Sequence, residues 1–94
     1  MNLHRSAFSG RNFEYYSEDA VLSGLFASCE VNGAAQWGVY PYIKHFAAND
    51  QETNRTAFLT TWMTEQTLRE NCLKPFEMVV KNFDFDNQIG RAHV

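Results

Sequence analysis

The sequence predicts an α/β chain built as strand, helix, strand, helix with parallel strands, and three observations carry that expectation. Leu22, Leu25, Phe26 and Cys29 recur at i, i+3, i+4 and i+7, one apolar stripe of a helix. Leu68, Cys72, Phe76 and Val80 step by four along a second helical face. Between them, Val39-Tyr40-Pro41-Tyr42-Ile43 is a short apolar run of the kind that makes a buried strand.

Taken in order, Met1 to Arg5 reads as a strand end, with the strand itself near Met1 to His4. Ser6 to Ser17 is a loop too aromatic to be a mere solvated connector. Ser17 or Asp19 can cap the first helix, and Glu18 and Asp19 suit its positive end. That helix is expected over Asp19 to Asn32, stopping near Gly33. Gly38 and Pro41 bound the second strand, Tyr42 to Phe46, and Asn49 to Thr56 is a polar loop. Thr64 is positioned to cap a last helix running to Lys81, which Pro75 should bend by removing one backbone hydrogen bond. Two parallel strands joined this way imply a right-handed crossover. No internal repeat or low-complexity segment interrupts the pattern.

Composition narrows the function classes. The 94 residues suffice for one small domain, and 45% hydrophobic with 15% aromatic content is rich for a soluble one. A formal charge of −3 with scattered Lys and Arg provides no basic stripe, which argues against a nucleic-acid partner. No apolar run is long enough to span a bilayer. Met1-Asn2-Leu3-His4-Arg5 lacks the apolar core of a secretion leader, an absence that carries no information where Met1 lies inside a longer gene; the compartment stays unknown, with the cytoplasm favoured. Cys29 and Cys72 sit at apolar helical positions without Cys-x-x-Cys spacing, and read as two buried free thiols.

Chemistry concentrates in two polar runs, Gly10-Arg11-Asn12-Phe13-Glu14-Tyr15-Tyr16-Ser17-Glu18-Asp19 and Lys44-His45-Phe46-Ala47-Ala48-Asn49-Asp50-Gln51-Glu52-Thr53-Asn54-Arg55. A Lys and a His at the end of a buried strand are costly unless polar groups meet them. The carboxyl ends of parallel strands are also where α/β proteins bind ligands. Strand alternation would send Lys44 and His45 to opposite faces, so regular strand geometry should break at about His45 if both serve one site.

These runs, in this order and spacing, resemble the catalytic barrel of glycoside hydrolase family three, which includes many bacterial β-glucosidases. Glu65-Gln66-Thr67-Leu68-Arg69-Glu70 and Leu73-Lys74-Pro75-Phe76-Glu77 resemble the family's next helix, so the likeness runs from about Met1 to Lys81. A complete barrel takes about 250 residues. The resemblance therefore implies a β-α-β-α fragment of a (β/α)8 TIM-type barrel. Residues 1–88 would belong to the family's N-terminal catalytic barrel domain. Ile89-Gly90-Arg91-Ala92-His93-Val94 resembles the translation of a short-read sequencing adapter and is set aside as a non-native tail. Phe83-Asp84-Phe85-Asp86-Asn87 departs from the apolar strand that the family would place there.

The resemblance further implies part of a retaining, exo-acting glycosidase of the β-glucosidase kind, acting on a β-linked glucoside or related oligosaccharide. Arg11, Lys44 and His45 match the positions at which the family holds the non-reducing sugar. Lys and Arg donate charge-assisted hydrogen bonds to hydroxyl oxygens, and His both donates and accepts. The family's nucleophile, an Asp of a later strand, and its acid/base fall outside this chain, so no catalytic residue is expected here and the isolated chain should be inactive. The resemblance implies no cofactor. The other function class is a non-catalytic carbohydrate-binding or interaction module that uses the same strand-end site.

The remaining polar residues have plainer readings. Asp50 and Glu52 could be taken for a catalytic pair, but residues two apart on a loop have no defined separation. Glu52 is expected to pair with Arg55, and Glu14 to brace the Arg11 loop. His4 reads as a satisfied structural histidine, and His93 falls in the tail. No His-x-x-x-His spacing supports a metal. Tyr15, Tyr16, Trp37, Tyr40 and Tyr42 could stack on sugar faces, but most of them read as filler between helices and sheet.

Overall fold

The structure, a computed structural model, describes residues 1–82 and the backbone of Arg91–Ala92. The departure at 83–87 and the rest of the tail lie outside the described residues. Asp19 opens the first helix: its backbone is extended and its carboxylate accepts the Leu22 N–H at 2.7 Å, satisfying one donor that a helix start leaves open. This helix, α1, spans Ala20–Gln36 and so runs past Gly33. Ala34 and Ala35 sustain it, and the true stop is Gly38, whose φ of +73° takes the left-handed turn that ends a helix.

The strand expected over Tyr42 to Phe46 is two residues long, β1 (Tyr42–Ile43), and regular strand ends before Lys44. The Lys44–His45 and Phe46–Ala47 peptide bonds are cis. Val39, Tyr40 and Tyr42 are exposed, so the run is not a buried strand among the described residues. Met1 to His4 is no strand either. The Met1 ammonium donates to the Lys44 carbonyl, Asn2 Oδ1 accepts the His45 N–H at 3.2 Å, and His4 N–H donates to the Ser17 carbonyl at 3.1 Å. A terminal amine and a side chain do there what a ladder would do, so the segment lies beside the exit of β1 without pairing as a strand. The parallel partner of β1 is instead β2 (Arg91–Ala92), with Tyr42 opposite Arg91 and Ile43 opposite Ala92. Those partner residues belong to the stretch set aside as a tail.

Thr64 caps the last helical stretch as expected, its Oγ1 accepting the Thr67 N–H at 3.1 Å. The stretch opens as α2 (Glu65–Thr67), widens into a π-helical segment over Leu68–Leu73 and continues as α3 (Lys74–Asn82). Proline has no N–H for the preceding turn and its ring crowds it; the wider turn immediately upstream of Pro75 absorbs that misfit.

Packing of α1 on α3 corrects the predicted faces. The buried side of α1 is Ala20, Ser23, Gly24, Ala27, Ser28, Val31 and Ala35, whereas Leu22, Leu25, Phe26 and Cys29 are exposed. Both sides of the helix carry apolar residues, and the small side wins because it lets α3 approach closely: a Cβ on Gly24 would lie 2.6 Å from Met78 Sδ. The buried hydroxyls are satisfied, Ser28 Oγ donating to the Gly24 carbonyl at 2.6 Å and Ser23 Oγ to the Ser17 carbonyl at 3.3 Å. From α3, Pro75, Phe76 and Val79 are buried while Val80 is exposed. Both thiols are free, but only Cys72 is buried.

The core gathers Met1, Ala27, Val31, Ala35, Phe76 and Val79, with Ile43 and Ala47 packed against it. Phe46 meets Phe76 edge-on, ring centres 5.1 Å apart. The exit of β1 is thereby seated over the helix pair, which sets the position of Lys44 and His45. Among the described residues no helix is long and apolar enough to cross a membrane.

Candidate functional site at the exit of β1

Two loops are laced together beyond β1. Ser9 Oγ donates to the Asp50 carbonyl at 2.7 Å and Tyr15 OH to the Asn49 carbonyl at 2.5 Å. Arg5 stands 3.7 Å from the Asp50 carboxylate. Gly10 passes so close to the second loop that a Cβ there would lie 3.2 Å from Glu52 Cγ. The first loop is also closed on itself, with Asn12 Nδ2 donating to the Ser6 carbonyl at 2.7 Å and His4 Nε2 to the Asn12 carbonyl at 2.8 Å. His4 is thus a satisfied structural histidine protonated on Nε2. The second loop holds Ala48 and Phe58 at φ near +60°, where a side chain costs about 1–2 kcal/mol.

Within this frame the cations and carboxylates alternate. Arg11 Nε donates to Glu14 Oε1 at 2.6 Å, and Arg11 Nη1 lies 3.6 Å from Glu52 Oε2. Lys44 Nζ lies 3.6 Å from the other Glu14 oxygen. Arg55 Nε lies 3.6 Å from Glu52 Oε2, and its Nη1 makes a long 3.5 Å contact to His45 Nε2. Since Arg can only donate, His45 Nε2 accepts, which places the imidazole proton on Nδ1. Burial, then the neighbouring Lys44, Arg11 and Arg55 charges, hold the His45 pKa below its ordinary value against the pull of Glu14. A neutral imidazole that both donates and accepts suits hydroxyl groups. Partly exposed ion pairs of this kind contribute little to stability, so the cluster is better explained by what it presents than by what it stabilises.

Of the three sequence-predicted residues, Arg11 and Lys44 are brought together through Glu14, and His45 is approached from the side of Arg55. Lys44 lines a cavity of about 240 Å³ with Met1, Glu14, Tyr16, Glu30 and Tyr42. His45 lines another of about 490 Å³ with Phe46, Asn49, Arg55, Thr56 and Leu59. The two neighbours therefore open onto two hollows. The expected local pairs, Glu14 with Arg11 and Glu52 with Arg55, are present. Asp50 turns to Arg5 instead, and burial pushes its pKa up against that cation. The filler reading holds only for Tyr15, since Tyr16, Trp37, Tyr40 and Tyr42 are exposed. Sequence reasoning missed the link of Glu14 to Lys44 and the contact of Arg55 with His45; the Arg at His+10 was visible, its direction was not.

Comparison with known proteins extends this geometry. A family model described as the glycosyl hydrolase family 3 N terminal domain matches residues 1–94. A β-glucosidase of Ruminococcus albus is 51% identical over 81 residues, 86% of this chain and 8% of that protein. One from Rhizobium radiobacter is 47% identical over 81 residues, 86% of this chain and 10% of its own length. Among solved structures, β-glucosidase 3B from Thermotoga neapolitana in complex with glucose superposes with a TM-score of 0.83 at 55% identity, covering 87% of this chain and 11% of that one. The chain thus spans between 8% and 11% of the length of these relatives. With both laced loops inside a match of this extent, the chain belongs to glycosyl hydrolase family 3.

Proposed function

We propose that residues 1–88 are part of the (β/α)8 catalytic barrel of a retaining, exo-acting β-glucosidase, and that Arg11, Lys44 and His45 hold the non-reducing sugar of a β-linked glucoside. The observation that carries this reading is the meeting of Arg11 and Lys44, distant in sequence, on the one carboxylate of Glu14 beside a cavity that Lys44 and Glu14 both line. Supporting it, relatives named β-glucosidases share the segment, and the similar solved structures hold glucose or glycerol. The cations would grip ring hydroxyls through charge-assisted hydrogen bonds, and the neutral His45 would donate and accept. Retaining hydrolysis needs a carboxylate nucleophile and a carboxylic acid about 5 Å apart. On this reading the nucleophile comes from a later strand of the parent and the acid/base from later still, as the family resemblance implies, while Glu14, Glu52 and Asp50 pair with Arg11, Lys44, Arg55 and Arg5.

The test is Lys44→Ala in the full-length parent. A charged contact to the sugar that strengthens in the transition state should be lost at a cost of roughly 2–5 kcal/mol in kcat/KM. The circular-dichroism spectrum and unfolding midpoint should stay as in the unaltered enzyme. An unchanged kcat/KM would return Lys44 to a structural role.

A further inference from the structure

We propose that Glu14 is a positioning residue, acting mainly through Lys44. The inference rests on the reading of Lys44 as a sugar-holding residue. Arg11 and Lys44 arrive from different loops, and each is held by its own oxygen of the Glu14 carboxylate, at 2.6 Å for Arg11 and 3.6 Å for Lys44. Glu14 has a firm seat: it ends a 3-10 turn over Asn12–Glu14, with Glu14 N–H donating to the Arg11 carbonyl at 3.1 Å and Tyr15 N–H to the Asn12 carbonyl at 3.2 Å.

The two cations depend on it unequally. Arg11 has a second tether, Glu52 at 3.6 Å, and its planar fork is oriented by two carboxylates. For Lys44, Glu14 is the one carboxylate within ion-pair distance among the described residues. A lysine ammonium on a four-carbon stem has no preferred direction of its own, so its aim is set by what it is tethered to. The side chains of Arg11 and Glu14 are about one-fifth exposed and that of Lys44 44%, so the tether is withdrawn while the held ammonium stays open to a ligand. Glu14 is therefore a brace, with both oxygens spent on cations rather than offered to a sugar.

Glu14→Gln keeps the size and one oxygen for Arg11 but faces Lys44 with no charge. In the full-length parent, kcat/KM for an aryl β-glucoside should fall about tenfold to a hundredfold, the scale of a misaimed binding group. The inhibition constant for glucose should rise in parallel, with the unfolding midpoint unmoved. Placed in the Lys44→Ala background, the same change should cost no more than about twofold, because the group it aims is gone. Glu14→Asp, which restores the charge on a shorter arm, should recover part of the loss, and it replaces Glu14→Gln as the probe if the latter does not fold. A full-sized loss in the Lys44→Ala background would overturn the inference, as would an unchanged Glu14→Gln. If Lys44→Ala alone abolishes activity while Glu14→Gln is silent, only the brace fails. If both are silent, the sugar-site reading fails with it.

Discussion

Tyr16 OH donates a hydrogen bond to the Glu30 carboxylate at the wall of the cavity that Lys44 and Glu14 line. Burial first, then that bond, then the carboxylate charge, push the Tyr16 phenol up to about 12. The folded pKa lies above the unfolded one, so the stability this bond contributes is whole below about pH 10 and is lost as pH rises toward 12. We expect the Tyr16 phenolate step in the absorbance titration of the chain to come last, after a Tyr15 step that burial also delays, and Glu30→Gln to bring the Tyr16 step part of the way back toward the ordinary tyrosine value. A late step that does not move in Glu30→Gln would assign the whole shift to burial. At this scale the legible part of the site was local. Arg11 with Glu14 and Glu52 with Arg55 lie three residues apart, within one turn of chain, so spacing alone brings them into reach. The Glu14 to Lys44 pair depends on where β1 ends relative to the first loop, which no local spacing encodes.

At the scale of elements, α1 shows how a helix chooses a face. Its stripe of Leu22, Leu25 and Phe26 carries more apolar surface, yet α3 docks on the stripe of small residues. The choice makes the two interior glycines of α1 opposite in consequence. Gly24 has Met78 Cβ 3.0 Å and Sδ 2.6 Å from where a Cβ would sit, while nothing lies within 4 Å of one at Gly33. Gly33→Ala should stabilise by about 0.5–1 kcal/mol, through helix propensity alone. Gly24→Ala gains the same propensity but overpacks α3 at a cost of about 1–3 kcal/mol, so its net effect should be destabilising. Denaturant titration of the two variants beside the unaltered chain checks this, and a stabilising Gly24→Ala would remove the close approach as the reason for the small face. Helix existence and the Asp19 and Thr64 caps were readable because they are local; the face was not, because periodicity marked an apolar stripe but not which stripe meets a partner.

For the whole molecule, exposed aromatics and occupied carboxylates point the same way. Phe8, Phe13, Trp37, Phe58 and Trp62 are each more than four-fifths exposed, several of them on the loops that frame the site. Among the described residues Asp50, Glu14 and Glu52 each pair with a cation, Arg5, Arg11, Lys44 or Arg55, and the proposed function puts both catalytic carboxyl groups outside the chain. We therefore expect the purified 94-residue chain to hydrolyse no aryl β-glucoside. Turnover above a heat-killed control would show that a catalytic pair had been overlooked among these carboxylates.

By itself the sequence determined the family, the two helices with their caps, and the identity of the polar groups near β1, because motif order, period and capping are written in neighbouring residues. Only the tertiary structure decided that Met1 to His4 lies beside β1 without pairing as a strand, that the small face of α1 is the buried one, and that Glu14 reaches Lys44. Each of these is a contact between segments far apart in the chain. Their energies depend on close approach and on competing partners, and neither quantity exists until the chain has folded.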